Sequence, residues 1–148
     1  MGSARSDGRR RHFEPIVDKV LIDTSVWIDF FRGSLSTTFL AHFTETLTAQ
    51  KGVITDLIRH EILVGAQDKK RFQDLQELLS PLTCYRIQSD ELFQFDVFAW
   101  ELRKKGFKGK YTDASIAFIA HRYHVPLITF DRYFQLVEKF GLIELVKY

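Results

Sequence analysis

Short apolar runs rich in β-branched residues recur along this chain, and stretches of helical periodicity separate them. The runs lie at residues 17–22 (VDKVLI), 52–55 (GVIT), 83–87 (TCYRI), 126–129 (PLIT) and 142–146 (LIELV). Helical patterns occupy residues 24–31, 36–50, 56–65, 68–79, 89–105, 112–124 and 131–140. Gly33, Pro81 and the GFKGK segment at 106–110 break them, while Thr55 or Asp56, Ser89 and Thr112 stand where helix caps belong. Alternation of this kind predicts an α/β fold. The expected form is a three-layer α/β/α sandwich with a mainly parallel central sheet and right-handed crossovers. In such a sheet ligands bind outside the C-terminal ends of the strands.

A chain of 148 residues with 45% hydrophobic residues and 14 Phe fits one domain with a substantial core. The expected layout is a disordered basic tail over residues 1–16 and one domain over 17–148. Arg5, Arg9, Arg10 and Arg11 stand against Asp7 in the tail, so the overall net charge of +2 belongs to the tail and the body is close to neutral. Any nucleic-acid contact by the body therefore needs a local patch. The segment Arg103, Lys104, Lys105, Lys108 and Lys110 is one, and a solvated helix end is its plainer reading. Cys84 is the only cysteine, so no intrachain disulfide forms. No apolar run nears the roughly 18 residues of a membrane span, and no signal-peptide pattern is visible. The expectation is a cytoplasmic protein that does not enter a membrane.

Four acids stand out by position. Asp23 follows the first strand directly, and Asp131 lies just past the strand at 126–129. Both therefore fall at strand C-termini, although each alone is also readable as a helix N-cap. On a helical wheel Glu61 falls among Leu57, Ile58, Ile62, Val64 and Gly65, with Asp56, Arg59 and His60 on the polar side. A carboxylate on an apolar face is costly to bury unless it is paired or holds a metal. Asp113 stands over Ile116, Ala117 and Ala120, a face that lets its helix pack closely; its alternative is a first-turn acid beside a Thr112 cap. Four carboxylates converging on one sheet edge would repel one another, and divalent cations relieve that. All-oxygen ligation suits Mg²⁺ or Mn²⁺, not zinc. The histidines are dispersed, with His121 and His124 expected on a helix surface.

The segments LIDTSVWIDFFRG (21–33), DLIRHEILVGA (56–66), YTDASIAFIA (111–120) and PLITFDRYF (126–134) resemble those of PIN-domain ribonucleases, in the family's order. Those of VapC toxins from prokaryotic toxin–antitoxin pairs are the most similar. The resemblance implies a metal-dependent endoribonuclease using Mg²⁺ or Mn²⁺, held by Asp23, Glu61, Asp113 and Asp131. Ser25 and Thr129 match polar positions beside the site, and Thr24 is a further candidate. It also implies an RNA substrate, a cognate antitoxin and a homodimer. The departure is the extension over residues 1–16, longer than the family usually carries.

Two other readings compete. A haloacid-dehalogenase-like phosphatase also opens with a strand ending in Asp, but it needs a second Asp two residues later, where Ser25 stands. A catalytically inactive RNA-binding or assembly module with the same fold is the other alternative, and the presence of all four acids argues against it.

Overall fold

The computed structural model of the protein describes residues 19–147. The expected tail at 1–16 and the first residues of the first expected strand lie outside that range. The described chain runs β1 (Val20–Ile22), α1 (Thr24–Arg32), α2 (Thr37–Thr48), β2 (Gly52–Thr55), α3 (Asp56–Val64), α4 (Lys69–Leu79), β3 (Thr83–Tyr85), α5 (Leu92–Lys104), α6 (Tyr111–Tyr123), β4 (Leu127–Ile128) and α7 (Tyr133–Lys139). The four strands form one parallel sheet in the order β3-β2-β1-β4, with the helices flanking it as the expected three-layer α/β/α sandwich.

The strand order places the site. From β1 the chain moves through β2 to the β3 edge, then returns to add β4 on the opposite side of β1. Ligand crevices open where strand order reverses in this way, here between the ends of β1 and β4. Leu21 and Ile22 are fully buried and pair with Leu127 and Ile128, and the Asp23 N–H donates to the Ile128 carbonyl at 3.0 Å. Asp23 is thereby fixed at the floor of the crevice.

The local signals explain most element ends. Gly33 closes α1 in the left-handed region at φ 69°. Ser36, Thr55 and Asp68 each cap a helix by accepting a backbone N–H three residues on. Residues 114 to 120 of α6 are all buried, so this helix is enclosed and not merely apolar on one face. Each Ile or Phe buried there and in the strands contributes about 1.5–3 kcal/mol. Trp27, Phe30, Phe31 and Phe43 form an aromatic cluster that fastens α1 to α2.

Several expected boundaries move. The strand at 83–87 stops at Tyr85, because its partner β2 ends at Thr55, which turns to cap α3. The strand at 142–146 reduces to one parallel bridge between Leu145 and Leu127, made by the Leu127 N–H to the Glu144 carbonyl and the Val146 N–H to the Leu127 carbonyl; the Leu145 N–H, facing away from β4, goes to the Glu138 carboxylate. Ser89 does not cap a long helix but begins a single 3-10 turn, Ser89–Glu91, ahead of α5. Thr112 is not the cap of α6, which begins at Tyr111. The expected helix at 131–140 begins at Tyr133, because the Asp131 carboxylate accepts the Tyr133 N–H and holds the preceding turn open. His121 is not a free surface residue: its Nδ1 lies 2.7 Å from the Leu142 carbonyl.

Candidate active site

Asp23 is only 5% exposed, and two hydroxyls clamp it. Ser25 Oγ and Thr129 Oγ1 both donate to its Oδ2 at 2.8 Å. Each hydroxyl in turn accepts a backbone N–H from the β4–α7 loop, Ser25 from Phe130 at 3.1 Å and Thr129 from Asp131 at 3.0 Å. These are two short relays of the kind in which each hydrogen bond polarises the next. They tie the loop carrying Asp131 to the carboxylate that follows β1.

The charges do not balance. Burial pushes the Asp23 carboxyl above its ordinary value; Thr129, Ser25 and the Thr24 backbone pull it down, and the Asp131 charge adds to the rise. Burial also raises Asp113; the Lys110 backbone and charge oppose this, while Asp131 and Glu61 reinforce it. Asp131 is thus close enough to act on both Asp23 and Asp113, and Glu61 on Asp113. Among the described residues no Lys, Arg or His forms an ion pair with any of the four. The fold sets Asp131 against Asp23 and Asp113, and Glu61 against Asp113, while the Lys110 charge offsets part of this at Asp113 without forming an ion pair among the described residues.

Glu61 differs from expectation. Its residue is exposed, and Val64, placed on the same apolar face by the wheel, is 66% exposed. Only Ile58 and Ile62 of α3 are buried, so the true core stripe is narrower than the apolar pattern. Glu61 stands at the stripe's margin, where Thr24 Oγ1 donates to its Oε2 at 2.6 Å. Thr24 therefore does for Glu61 what Ser25 and Thr129 do for Asp23. Glu61 and Thr24 line a groove of about 850 Å³ between α1, α3 and the start of α4, together with Ile28, Phe31, Gly65 and Arg71.

Asp113 is held differently. Its Oδ2 accepts the Lys110 N–H at 2.9 Å, one turn back across the helix start. Gly109 makes this possible. A Cβ at Gly109 would lie 2.4 Å from Phe107 Cζ and 2.9 Å from Asp113 Cβ, so only glycine lets the loop lie flat against both. The sequence signal was the pair of glycines in GFKGK, which mark a loop but not which residue they accommodate.

The basic segment does not form one patch. Lys104 lies over the Trp100 ring and Lys105 over Phe140. Arg103 and Lys110 border one hollow beside α6, while Lys108 and Arg132 border another. The Arg59 charge acts on Cys84 of the edge strand.

Among the described residues, no three carboxylate, imidazole or thiol side chains approach closely enough to hold one ion together as they stand. The chemistry of the donor set nonetheless fits a hard divalent cation: oxygen donors only, carboxylates without an ion-pair partner among the described residues, and hydroxyls that orient Asp23 and Glu61.

An acid-lined crevice at the switch point of a small parallel sheet defines the class, and the chain belongs to the PIN domain family, whose model matches residues 20–139. Among solved structures it is similar to a toxin–antitoxin complex from Klebsiella pneumoniae, at 25% identity over 78% of this chain and 90% of that chain, with a TM-score of 0.56. The fold is shared with DNA-bound VapBC from Salmonella typhimurium, at 17% identity, 86% and 96% coverage and a TM-score of 0.68. It is also shared with VapBC-1 from nontypeable Haemophilus influenzae, at 17% identity, 86% and 96% coverage and a TM-score of 0.67. No curated protein matches the chain. Among the described residues no helix is long and apolar enough to cross a membrane.

Proposed function

We propose that this chain is a metal-dependent endoribonuclease that hydrolyses RNA phosphodiester bonds and acts as the toxin of a toxin–antitoxin pair. The observation that carries the nuclease reading is the gathering of Asp23, Glu61, Asp113 and Asp131 without an ion-pair partner among the described residues, around a buried Asp23 oriented by two hydroxyls. Membership of the PIN family and the similarity to toxin–antitoxin complexes support the toxin role.

In this reading the four carboxylates hold Mg²⁺ or Mn²⁺, which supplies Lewis acidity for an attacking water and offsets charge on the phosphate. Asp23 is the anchor, because its position is set by β1 and its Oδ2 is already occupied by Ser25 and Thr129. Thr24 orients Glu61 in the same manner. Asp113 and Asp131 complete the set from the α6 start and the β4–α7 loop. No covalent enzyme intermediate is required.

An antitoxin segment fits the groove between α1, α3 and α4. The groove is lined by apolar side chains with two cations, Arg32 and Arg71, and Asp68, and it opens beside Glu61. A segment seated there would cover the approach to the site. A homodimer is the expected assembly, and the exposed Phe93 and Trp100 of α5 suit an apolar face. A strictly monomeric chain in light scattering at high concentration would end that part of the proposal.

The second reading, a PIN-fold module that binds RNA or assembles without cutting, is favoured by one observation: among the described residues no three acids stand within joint reach of an ion. One assay separates the two. The nuclease reading requires RNA cleavage with Mg²⁺ or Mn²⁺ that EDTA stops and that Asp23→Asn loses while remaining folded. Binding without cleavage under every metal condition selects the inactive module.

A further inference from the structure

Beside the acids lies a second hollow. It measures about 240 Å³ and sits between α5, the 106–110 loop and the first turn of α6. Phe95, Phe107 and Ala114, all buried, form its floor. Its rim carries Arg103, Lys110 and Asp96, all exposed, and the Tyr111 ring. Tyr111 is 62% exposed although it opens an enclosed helix. Its ring stands at 89° to Phe95 with centroids 5.3 Å apart, an edge contact that leaves much of its surface facing solvent. A large apolar surface backed by Phe95 at a pocket mouth is suited to stacking a ligand.

The hollow is coupled to the acid site by the chain itself. Tyr111 is two residues before Asp113, and the Lys110 N–H is the donor that holds the Asp113 carboxylate. The space is below the roughly 300 Å³ at which pockets for whole small-molecule ligands begin. A single planar base fits that scale. Arg103 and Lys110 supply charge for the adjoining phosphates, and Asp96 offers only acceptors, which suits the amino group of a base. A stacking ring beside backbone-directed cations is the general means of holding single-stranded nucleic acid.

The geometry points to this hollow as a nucleotide subsite in which Tyr111 stacks one unpaired base of the RNA next to the phosphate presented to the acids. The inference rests on the nuclease reading and names how its substrate is gripped. It makes Tyr111 a binding residue and implies that an unpaired nucleotide, not a continuous duplex, enters beside Asp113.

The test uses the full chain as wild type, Tyr111→Ala and Tyr111→Phe, with thermal melting to establish that each is folded. The probe is a short single-stranded RNA carrying fluorescent 2-aminopurine, titrated in EDTA so that no cleavage occurs. Tyr111→Ala should bind about 5- to 150-fold more weakly and lose the fluorescence quenching that stacking produces. Tyr111→Phe keeps the ring and should retain both. In a metal-containing assay the Ala variant should show a raised KM more than a lowered kcat. Unchanged affinity and quenching in Tyr111→Ala, with a wild type that cleaves RNA, overturn the subsite alone. A wild type that neither binds nor cleaves RNA overturns the nuclease reading and the subsite with it.

Discussion

Thr129 Oγ1 donates a 2.8 Å hydrogen bond to Asp23 Oδ2, joining residues 106 apart in sequence at adjacent strand ends. The same hydroxyl accepts the Asp131 N–H, so one side chain positions one acid and anchors the loop bearing another. Thr129→Val removes both bonds at nearly constant volume. Groups that orient ligand carboxylates typically matter by about 10–100-fold in metal affinity or activity. Thr129→Val and Ser25→Ala should each lose activity in that range. Manganese titration by calorimetry, beside RNA cleavage, checks this; wild-type affinity in both variants would remove the hydroxyls from the mechanism.

Asp23→Asn should abolish cleavage and stabilise the metal-free protein. The sign follows from the raised pKa, whose main cause is burial. An acid whose folded value exceeds its unfolded value binds more protons when folded, so stability falls as pH rises from the ordinary Asp range through the raised folded value. The cost is then fully present above that value. Melting curves of metal-free wild type and Asp23→Asn across this window should diverge as pH rises, with the variant more stable. Parallel curves would show that the buried charge carries no such cost.

Mg²⁺ or Mn²⁺ should raise the melting temperature of the wild type, more at neutral pH than below the ordinary carboxylate range. A ligand that binds only the folded form stabilises by mass action, and binding here requires deprotonated Asp23 and Asp113. EDTA should reverse the shift and stop cleavage together. A shift equally large in Asp23→Asn would locate the ion elsewhere.

Glu61→Gln should leave stability within about 0.5 kcal/mol, as for other exposed positions away from caps and cores, yet remove most cleavage. Denaturant melts and RNA cleavage on the same preparation test the pair of outcomes. A large loss of stability would mean that Glu61 is structural.

Gly109→Ala should lower stability by about 1–3 kcal/mol, the usual range for overpacking, and lower activity by displacing Asp113. The added Cβ would have to displace the Phe107 ring or the Asp113 Cβ. Restored activity in a Gly109→Ala, Phe107→Leu double variant would locate the conflict at Phe107. An unperturbed single variant would show that the loop yields freely.

The sequence by itself determined the alternation that makes a parallel sheet, because β-branched runs and helical periodicity are local properties of the chain. It also determined which acids to examine, since strand C-termini can be located from those runs. Asp23 directly follows Ile22 and Asp131 lies in the loop after Ile128, both past the C-terminal ends of paired strands, as that reasoning has them. Glu61 was misjudged in setting, because a wheel counts Val64 as inward, whereas burial is decided by what packs against α3. The last expected strand is reduced for a related reason: Leu145 had the right propensity, but the β4 strand beside it is only Leu127–Ile128, so the pairing ends at a single bridge. Only the tertiary structure brought Ser25 and Thr129 onto one oxygen of Asp23, set Thr24 on Glu61 and pressed Gly109 against Asp113. Hydrogen bonds and steric contacts of that kind depend on the register between strands and helices distant in the chain, which no local pattern encodes.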